Sequence, residues 1–286
     1  MSNFYRQLRS MGTRLEIVIP GLDEKTGLQL SRRISESLEQ LVQRISNYDS
    51  NSEISLVNRN AYRDAVNVSD SLGQLIKFGI EGFQNTGGFF DFTLGGWTSI
   101  PDLIRDTEGS FEKLKRLPLS ERISLDGNTL RLLHKDVRLD SGGMGKGQGL
   151  LLIKNILNEM DIRSAFISFG GSSVLGVGKH PYGDSWKVGI QHPGKESEII
   201  DEIELRDQVL SVSGNSTNNR KKYGEEGHIL NPESGVFLKA PEIVMVITEH
   251  PVEAEIASTA LAAAGKEKQE KITENLKNLI FKRIDY

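Results

Sequence analysis

The 286-residue chain contains no cysteine. That excludes a disulfide framework, a thiolate metal site, a cysteine nucleophile and a lipid anchor on cysteine. Long apolar runs are missing as well: no window approaches the ~18 residues that mark a membrane-crossing helix. The opening residues, MSNFYRQLRSMGTRLEIVIPG, hold no apolar stretch of signal-peptide length. As given, the chain is expected in the cytoplasm, and in the periplasm or at a membrane only if a leader once preceded it. Basic clusters are equally scarce. The net charge is −4, from 35 Lys and Arg against 39 Asp and Glu, and the longest basic run is NNRKKYG. A nucleic-acid surface needs clustered cations to neutralise phosphates, so that class is set aside. What is present is 37% hydrophobic and 26% charged residues, the balance of a folded protein able to bury a sizeable core.

Periodicity supplies the elements. TRLEIVI (13–19) reads as a strand. Leu30, Ile34, Leu38, Leu41 and Ile45 form a helical stripe of about six turns. A second helix runs through SDSLGQLIKFGIEGFQNTGG, with a Ser or Asp cap before it and Gly87 after it. Residues 101–125 are mixed and charged, with a short helical excursion expected. TLRLL and VRL read as a hairpin pair. A helix carrying Leu150, Ile153, Ile156 and Leu157 follows a glycine-rich stretch. AFISFGG, SVLGVG, WKVGI, EIEL and VLSVSG look like successive strands, EIVMVIT like a buried one, and NLIFKRIDY like the last. EAEIASTALAAAG is a helix of good formers closed by Gly265. Strands that mostly follow one another, with long helices between some of them, predict an α+β fold rich in antiparallel sheet. No repeat or linker divides residues 1–286, which read as one domain.

The glycine-rich stretch LDSGGMGKGQG (139–149) places one lysine among backbone able to approach phosphate oxygens closely. It matches neither common nucleotide fingerprint. A P-loop would need Gly at Asp140 and Ser or Thr at Gly147, and the dinucleotide pattern fails at Gln148 or Leu150. Other segments offer chemistry and a plainer alternative together. His228, before the Asn-Pro turn of GHILNPESG, could serve as a general base held in one orientation, or lie on the surface near a loop. Glu255 and Thr259, at i and i+4, present two hard oxygen ligands suited to Mg²⁺, or an ordinary helix face. Asp91 and Thr93 in GGFFDFTLGGW could edge a ligand site or an aromatic turn. Tyr48 in SNYDSNSEIS could stack on a planar ligand or cover a helix end.

Taken in order, MGT (11–13), SNYDSNSEIS with Asn58 following, GGFFDFTLG, DSGGMGKG, SFGG, WKVGIQHP, SGN, HILNPESG and AEIASTALAAAG resemble the FAD:protein FMN transferase, or ApbE-like, family. The likeness spans nearly the whole chain. It implies a T-fold-like α+β architecture that binds FAD. It further implies Mg²⁺-dependent cleavage of the FAD pyrophosphate, with FMN passed to a Ser or Thr of an acceptor protein and AMP released. By this resemblance Gly145, through its backbone carbonyl, Glu255 and Thr259 hold the metal, and His228 takes the acceptor hydroxyl's proton. Tyr48 lies at the isoalloxazine, and Met11, Asp91 and Lys146 are further FAD-pocket positions.

The chain departs from the family pattern at several of these places. Glu255 replaces an Asp and is one methylene longer, which matters when Mg–O distances are near ~2.1 Å. Asn231 stands for Asp, Ser234 for Thr, Ser172 for the Asp of a GGD, and Leu151 for an Asp. Val212-Ser213-Gly214 stands where the family reads TSG. Two further functions therefore accompany transfer: FAD binding without transfer, and hydrolysis of FAD to FMN and AMP.

Overall fold

The structure, a computed structural model, describes residues 3–98, 109–192, 195–214, 227–239, 242–276 and 278–285. The chain opens with a hairpin. Strands β1 (Asn3–Ser10) and β2 (Thr13–Pro20) pair antiparallel around Met11-Gly12. Both turn residues have positive φ, 50° and 71°, as a two-residue type I′ turn requires. Glycine tolerates this, but for methionine it costs about 1–2 kcal/mol. β1 gives no clear alternation in the sequence because Phe4 is its one fully buried side chain.

Helix α1 (Glu24–Ile45) starts where Asp23 accepts from Thr26 N at 3.0 Å, and it buries the expected stripe from Leu30 to Ile45. Helix α2 (Glu53–Asn60) follows within the polar SNYDSNSEIS segment, where the sequence suggested loop; Ser52 caps it. β3 (Val66–Asn67) and α3 (Asp70–Asn85) come next, and the Glu53 carboxylate ties the Ser69 cap of α3 to α2. After α4 (Gly95–Thr98), residues 99–108 lie outside the described residues; α5 (Ser110–Arg116) is the short helix expected there.

The hairpin read from TLRLL and VRL is not formed. β5 (Thr129–Leu132) pairs instead with β4 (Ile123–Asp126) and with β3. The tight Gly127-Asn128 loop, with Gly127 at φ 57°, makes the nearer partner the shorter closure. The VRL segment turns back on GGFFDFTLGG: Arg138 N donates to Thr93 O at 3.1 Å and Gly95 N to Arg138 O at 2.8 Å.

The remaining elements are α6 (Gly145–Glu159), β6 (Ala165–Phe169), β7 (Ser173–Val177), β8 (Trp186–His192), β9 (Lys195–Leu205), β10 (Gln208–Gly214), β11 (Glu242–Thr248), α7 (Pro251–Ala264), α8 (Gln269–Asn275) and β12 (Ile280–Asp285). Seven strands form one antiparallel sheet in the order β1-β2-β6-β7-β10-β11-β12. Its two faces have different covers. Ile17, Ile167, Leu175, Val209, Val244 and Val246 point to the main core shared with the helices. Val174, Leu210, Ile243, Met245 and Ile247 point the other way, under Trp186, Ile190 and Leu205 of the β8–β9 ribbon. A strand buried on both faces reads as a continuous apolar run, which is why EIVMVIT shows no alternation. Among the described residues no helix is long and apolar enough to cross a membrane.

Two helices set up the site. α7 lies along β10 and β11 and packs on α6. Gly147 permits the close approach, since a Cβ there would lie 2.6 Å from Pro251 O.

Candidate active site

A cleft of about 1940 Å³ opens where the β1–β2 turn, the end of α1, the 89–94 loop, the start of α6, the β6–β7 turn, the β8–β9 ribbon and α7 meet. Met11, Tyr48, Asp91, Gly145, Lys146, His228, Glu255 and Thr259 all line it. These residues are spread over most of the sequence, and the fold gathers them.

The glycine stretch is held from outside by side chains that the sequence reading left without a role. Asn47 and Asn58 both donate to Leu139 O, at 2.7 and 2.9 Å. In return Asn58 Oδ1 accepts from Leu139 N at 2.7 Å and Asn47 Oδ1 from Ser141 N at 2.9 Å. Amides suit this duty because each carries both a donor and an acceptor. Asp140 accepts from Gly142 N at 2.7 Å and from the Thr98 hydroxyl. The backbone at 139–142 is thus fixed before α6 begins.

Gly145 is the first residue of α6, so its carbonyl enters the helical ladder. The nearest neighbour of a Cβ at Gly145 would be Ile45, at 3.4 Å. Gly143 is the glycine that lies against Thr259: a Cβ there would be 3.4 Å from Thr259 Oγ1. Gly145, expected to offer its carbonyl to a metal, lines the same cleft as Glu255 and Thr259.

Asp91 lines the cleft as expected of a pocket position. It reaches the cleft wall, but its carboxyl is used by the protein. Oδ1 accepts from Thr93 N at 3.0 Å and Thr93 Oγ1 at 2.6 Å, and Oδ2 faces Arg122 Nη1 at 2.5 Å. Both members of this ion pair are 2% exposed. Arg122 is further held by the carbonyls of Lys115 and Leu117 and lies over the Phe83 ring. Asp91 thus shapes the cleft wall through its ties to Thr93 and Arg122.

At the cleft floor the Glu255 carboxyl, 4% exposed, accepts at Oε1 from Ser173, from Ser211 at 3.0 Å and from Lys146 at 3.4 Å. Lys146 Nζ also donates to Ser172 at 2.8 Å and Ser173 at 2.6 Å. Ser258 links Ser211 and Ser213, at 2.9 and 2.8 Å. Among the described residues, no hydrogen bond ends on Glu255 Oε2 or on Thr259 Oγ1. These serines had a signal in the sequence. In VLSVSG, alternate positions 209, 211 and 213 face α7, and two of the three are polar where an apolar residue is the default.

His228 follows Gly227 and precedes a turn built by Asn231. The Asn231 Oδ1 accepts from Glu233 N at 2.9 Å and Ser234 N at 3.0 Å, while Nδ2 donates to Ala263 O at 2.8 Å. The histidine loop is thereby tied to the end of α7. Tyr48 is 86% exposed at the rim. A second histidine, His192, at the end of β8, lines the same cleft. Among the described residues no group of three or more His, Asp and Glu side chains could by itself hold a metal ion; the oxygen donors at the cleft floor are the Glu255 carboxyl and hydroxyls such as that of Thr259.

The fold and the cleft together define an α+β protein with a cleft floor of hydroxyls, one carboxylate and one lysine beneath apolar and aromatic walls. Such a cleft offers polar contacts at its floor and apolar contact along its walls. The chain belongs to the ApbE family, whose model matches residues 11–281. It is similar to the FAD:protein FMN transferase of Vibrio cholerae, 25% identical over 280 residues, covering 93% of this chain and 82% of that protein. The FAD:protein FMN transferase of Escherichia coli K12 is 23% identical over 278 residues, covering 92% and 79%. Among solved structures, the flavin transferase ApbE from Vibrio cholerae superposes with a TM-score of 0.81 at 22% identity, covering 99% of this chain and 97% of that one. The ApbE protein from Thermotoga maritima gives a TM-score of 0.82 at 21% identity, covering 98% and 94%.

Proposed function

We propose that this protein transfers FMN from FAD to a Ser or Thr hydroxyl of an acceptor protein and releases AMP. The observation that carries this reading is the convergence of Tyr48, Lys146, His228, Glu255 and Thr259 on one cleft. Family membership and the named relatives support the same chemistry.

The acceptor oxygen attacks the phosphorus of the FMN half. The P–O bond to the AMP half breaks, and AMP leaves with the bonding electrons. His228 accepts the hydroxyl proton during attack. The Lys146 ammonium offsets phosphate charge, and Tyr48 at the rim stacks on the flavin ring. The donor set suits Mg²⁺, a hard cation that binds few carboxylates and keeps water and phosphate oxygens in its shell. Glu255 Oε2, Thr259 Oγ1 and the Gly145 carbonyl would hold it, and when bound it would withdraw charge from the pyrophosphate.

The test is to incubate the protein with FAD and Mg²⁺, with and without a Thr-containing acceptor, following AMP release and acceptor mass. A gain of one FMN unit on the acceptor together with AMP is expected. AMP and free FMN at equal rates without acceptor would make the protein a pyrophosphatase. FAD binding with no AMP would make it a flavin-binding protein.

A further inference from the structure

Lys146 and Glu255 are occupied by each other before any ligand arrives. An ammonium has three N–H groups, and those of Lys146 are matched by Ser172 Oγ at 2.8 Å, Ser173 Oγ at 2.6 Å and Glu255 Oε1 at 3.4 Å. The carboxyl side chain is 5% exposed and that of the lysine 27%. Glutamate has the reach to place Oε1 in the nest of Ser173 and Ser211 on β7 and β10. A buried carboxylate without a counter-ion is strongly disfavoured, and Lys146 is the cation in contact with it.

We infer that Lys146 is a built-in counter-cation that keeps a divalent metal off Glu255 until FAD enters the cleft. Two cations on one buried carboxylate repel each other. A metal reaching Glu255 must therefore displace the ammonium or endure it. The pyrophosphate of FAD offers the lysine charged acceptor oxygens in the same cleft. Once the ammonium moves there, Ser172 and Ser173 can rotate their hydroxyls, so no polar group is left stranded, and a metal at Glu255 Oε2 no longer faces a second cation on Oε1 of the same carboxylate. FAD and metal then bind with positive coupling, and by linkage each raises the affinity of the other equally. The coupling depends on the FAD reading proposed above, whereas the exclusion of metal by Lys146 does not.

The test titrates Mn²⁺, a Mg²⁺ surrogate, into the full chain without FAD and reads free Mn²⁺ by electron paramagnetic resonance. Lys146→Met should bind Mn²⁺ about tenfold or more tightly than wild type, within the usual span of such couplings. Lys146→Arg, which keeps the charge, should stay near wild type. Lys146→Gln, neutral yet able to hydrogen-bond the serines, serves if the methionine variant does not fold. Adding Glu255→Gln to the neutral variant should remove the gain. The inference is overturned if the neutral variants bind Mn²⁺ no better than wild type, or if the gain survives Glu255→Gln. FAD binding is followed in parallel by flavin fluorescence. No FAD binding by wild type defeats the FAD reading and leaves the Mn²⁺ comparison standing. FAD and Mn²⁺ binding independently of each other defeats the coupling alone.

Discussion

Asn231 stands where the resembled motif carries aspartate, and its bonds explain how the turn accommodates the exchange. Its oxygen closes the turn on Glu233 N and Ser234 N, and its nitrogen donates to Ala263 O. A carboxylate could do the first and not the second. The amide keeps His228 beside the cleft, so His228→Ala should lower transfer by ~10²–10⁴-fold, the usual loss on removing a general base. FAD affinity, measured by calorimetry, should change far less, because binding rests on many contacts. Arg122 works at a distance from any chemistry. With both partners of its pair buried, Arg122→Met leaves Asp91 charged and unpaired, and unfolding stability in a urea titration should fall by about 3–5 kcal/mol. These two residues show what the sequence could reveal. His228 was legible because a rigid turn signal follows it. Arg122 was not, because its partner Asp91 lies in a distant segment and no local pattern joins them. Which glycine of the run lies against Thr259 was not legible either, because it depends on where α6 starts.

At the scale of elements, α7 carries Glu255 and Thr259, and its N-terminal residue is sensitive to protons. His250 sits at the N-cap, makes no side-chain cap, and packs its ring 5.0 Å from that of Phe78. Burial pushes its pKa below the ordinary value. Glu253 and Glu81 pull it back up, and Lys154 adds to the fall. The fold therefore prefers neutral His250, and a positive charge there would also oppose the helix dipole. The unfolded chain protonates first as pH drops. This contribution is thus complete above about 6.5 and is lost as pH falls from there toward the folded-state value. Urea midpoints taken on either side of that pH should fall on the acid side, and His250→Gln should flatten the difference. α1 was readable in the sequence because its apolar stripe repeats over many turns, and α7 because it is built of good helix formers closed by Gly265. β1 and α2 were not, since the strand buries a single large side chain and the helix lies in a polar segment with its start marked only by Ser52. The pairing of β5 was misread because strand partners are settled by turn geometry and neighbouring surfaces, which apolar residues alone do not encode.

For the whole molecule, the cleft is lined at once by the opening hairpin, the helical layer and the β8–β9 ribbon. A ligand that spans them stabilises all of them together. FAD at 100 times its dissociation constant should add about 2.7 kcal/mol to unfolding stability, which a denaturant titration with and without FAD would read directly. The sheet order has a different consequence, in time. β2 pairs with β6, so residues 21–164 must be looped out before that seam can close. Pairings between distant segments are slow to form, because the entropy of closing the loop is lost before the contacts compensate it. Met11 lies at one side of the seam and Ser172 just beyond the other, while Glu255 and Thr259 come from α7, which follows both in the chain. The cleft is therefore complete only once α7 has been made and the β2–β6 seam has closed. A ribosome-bound or truncated chain with its first hairpin and long helix already formed still has no complete place for FAD, and flavin bound in the cleft is a mark that folding has finished.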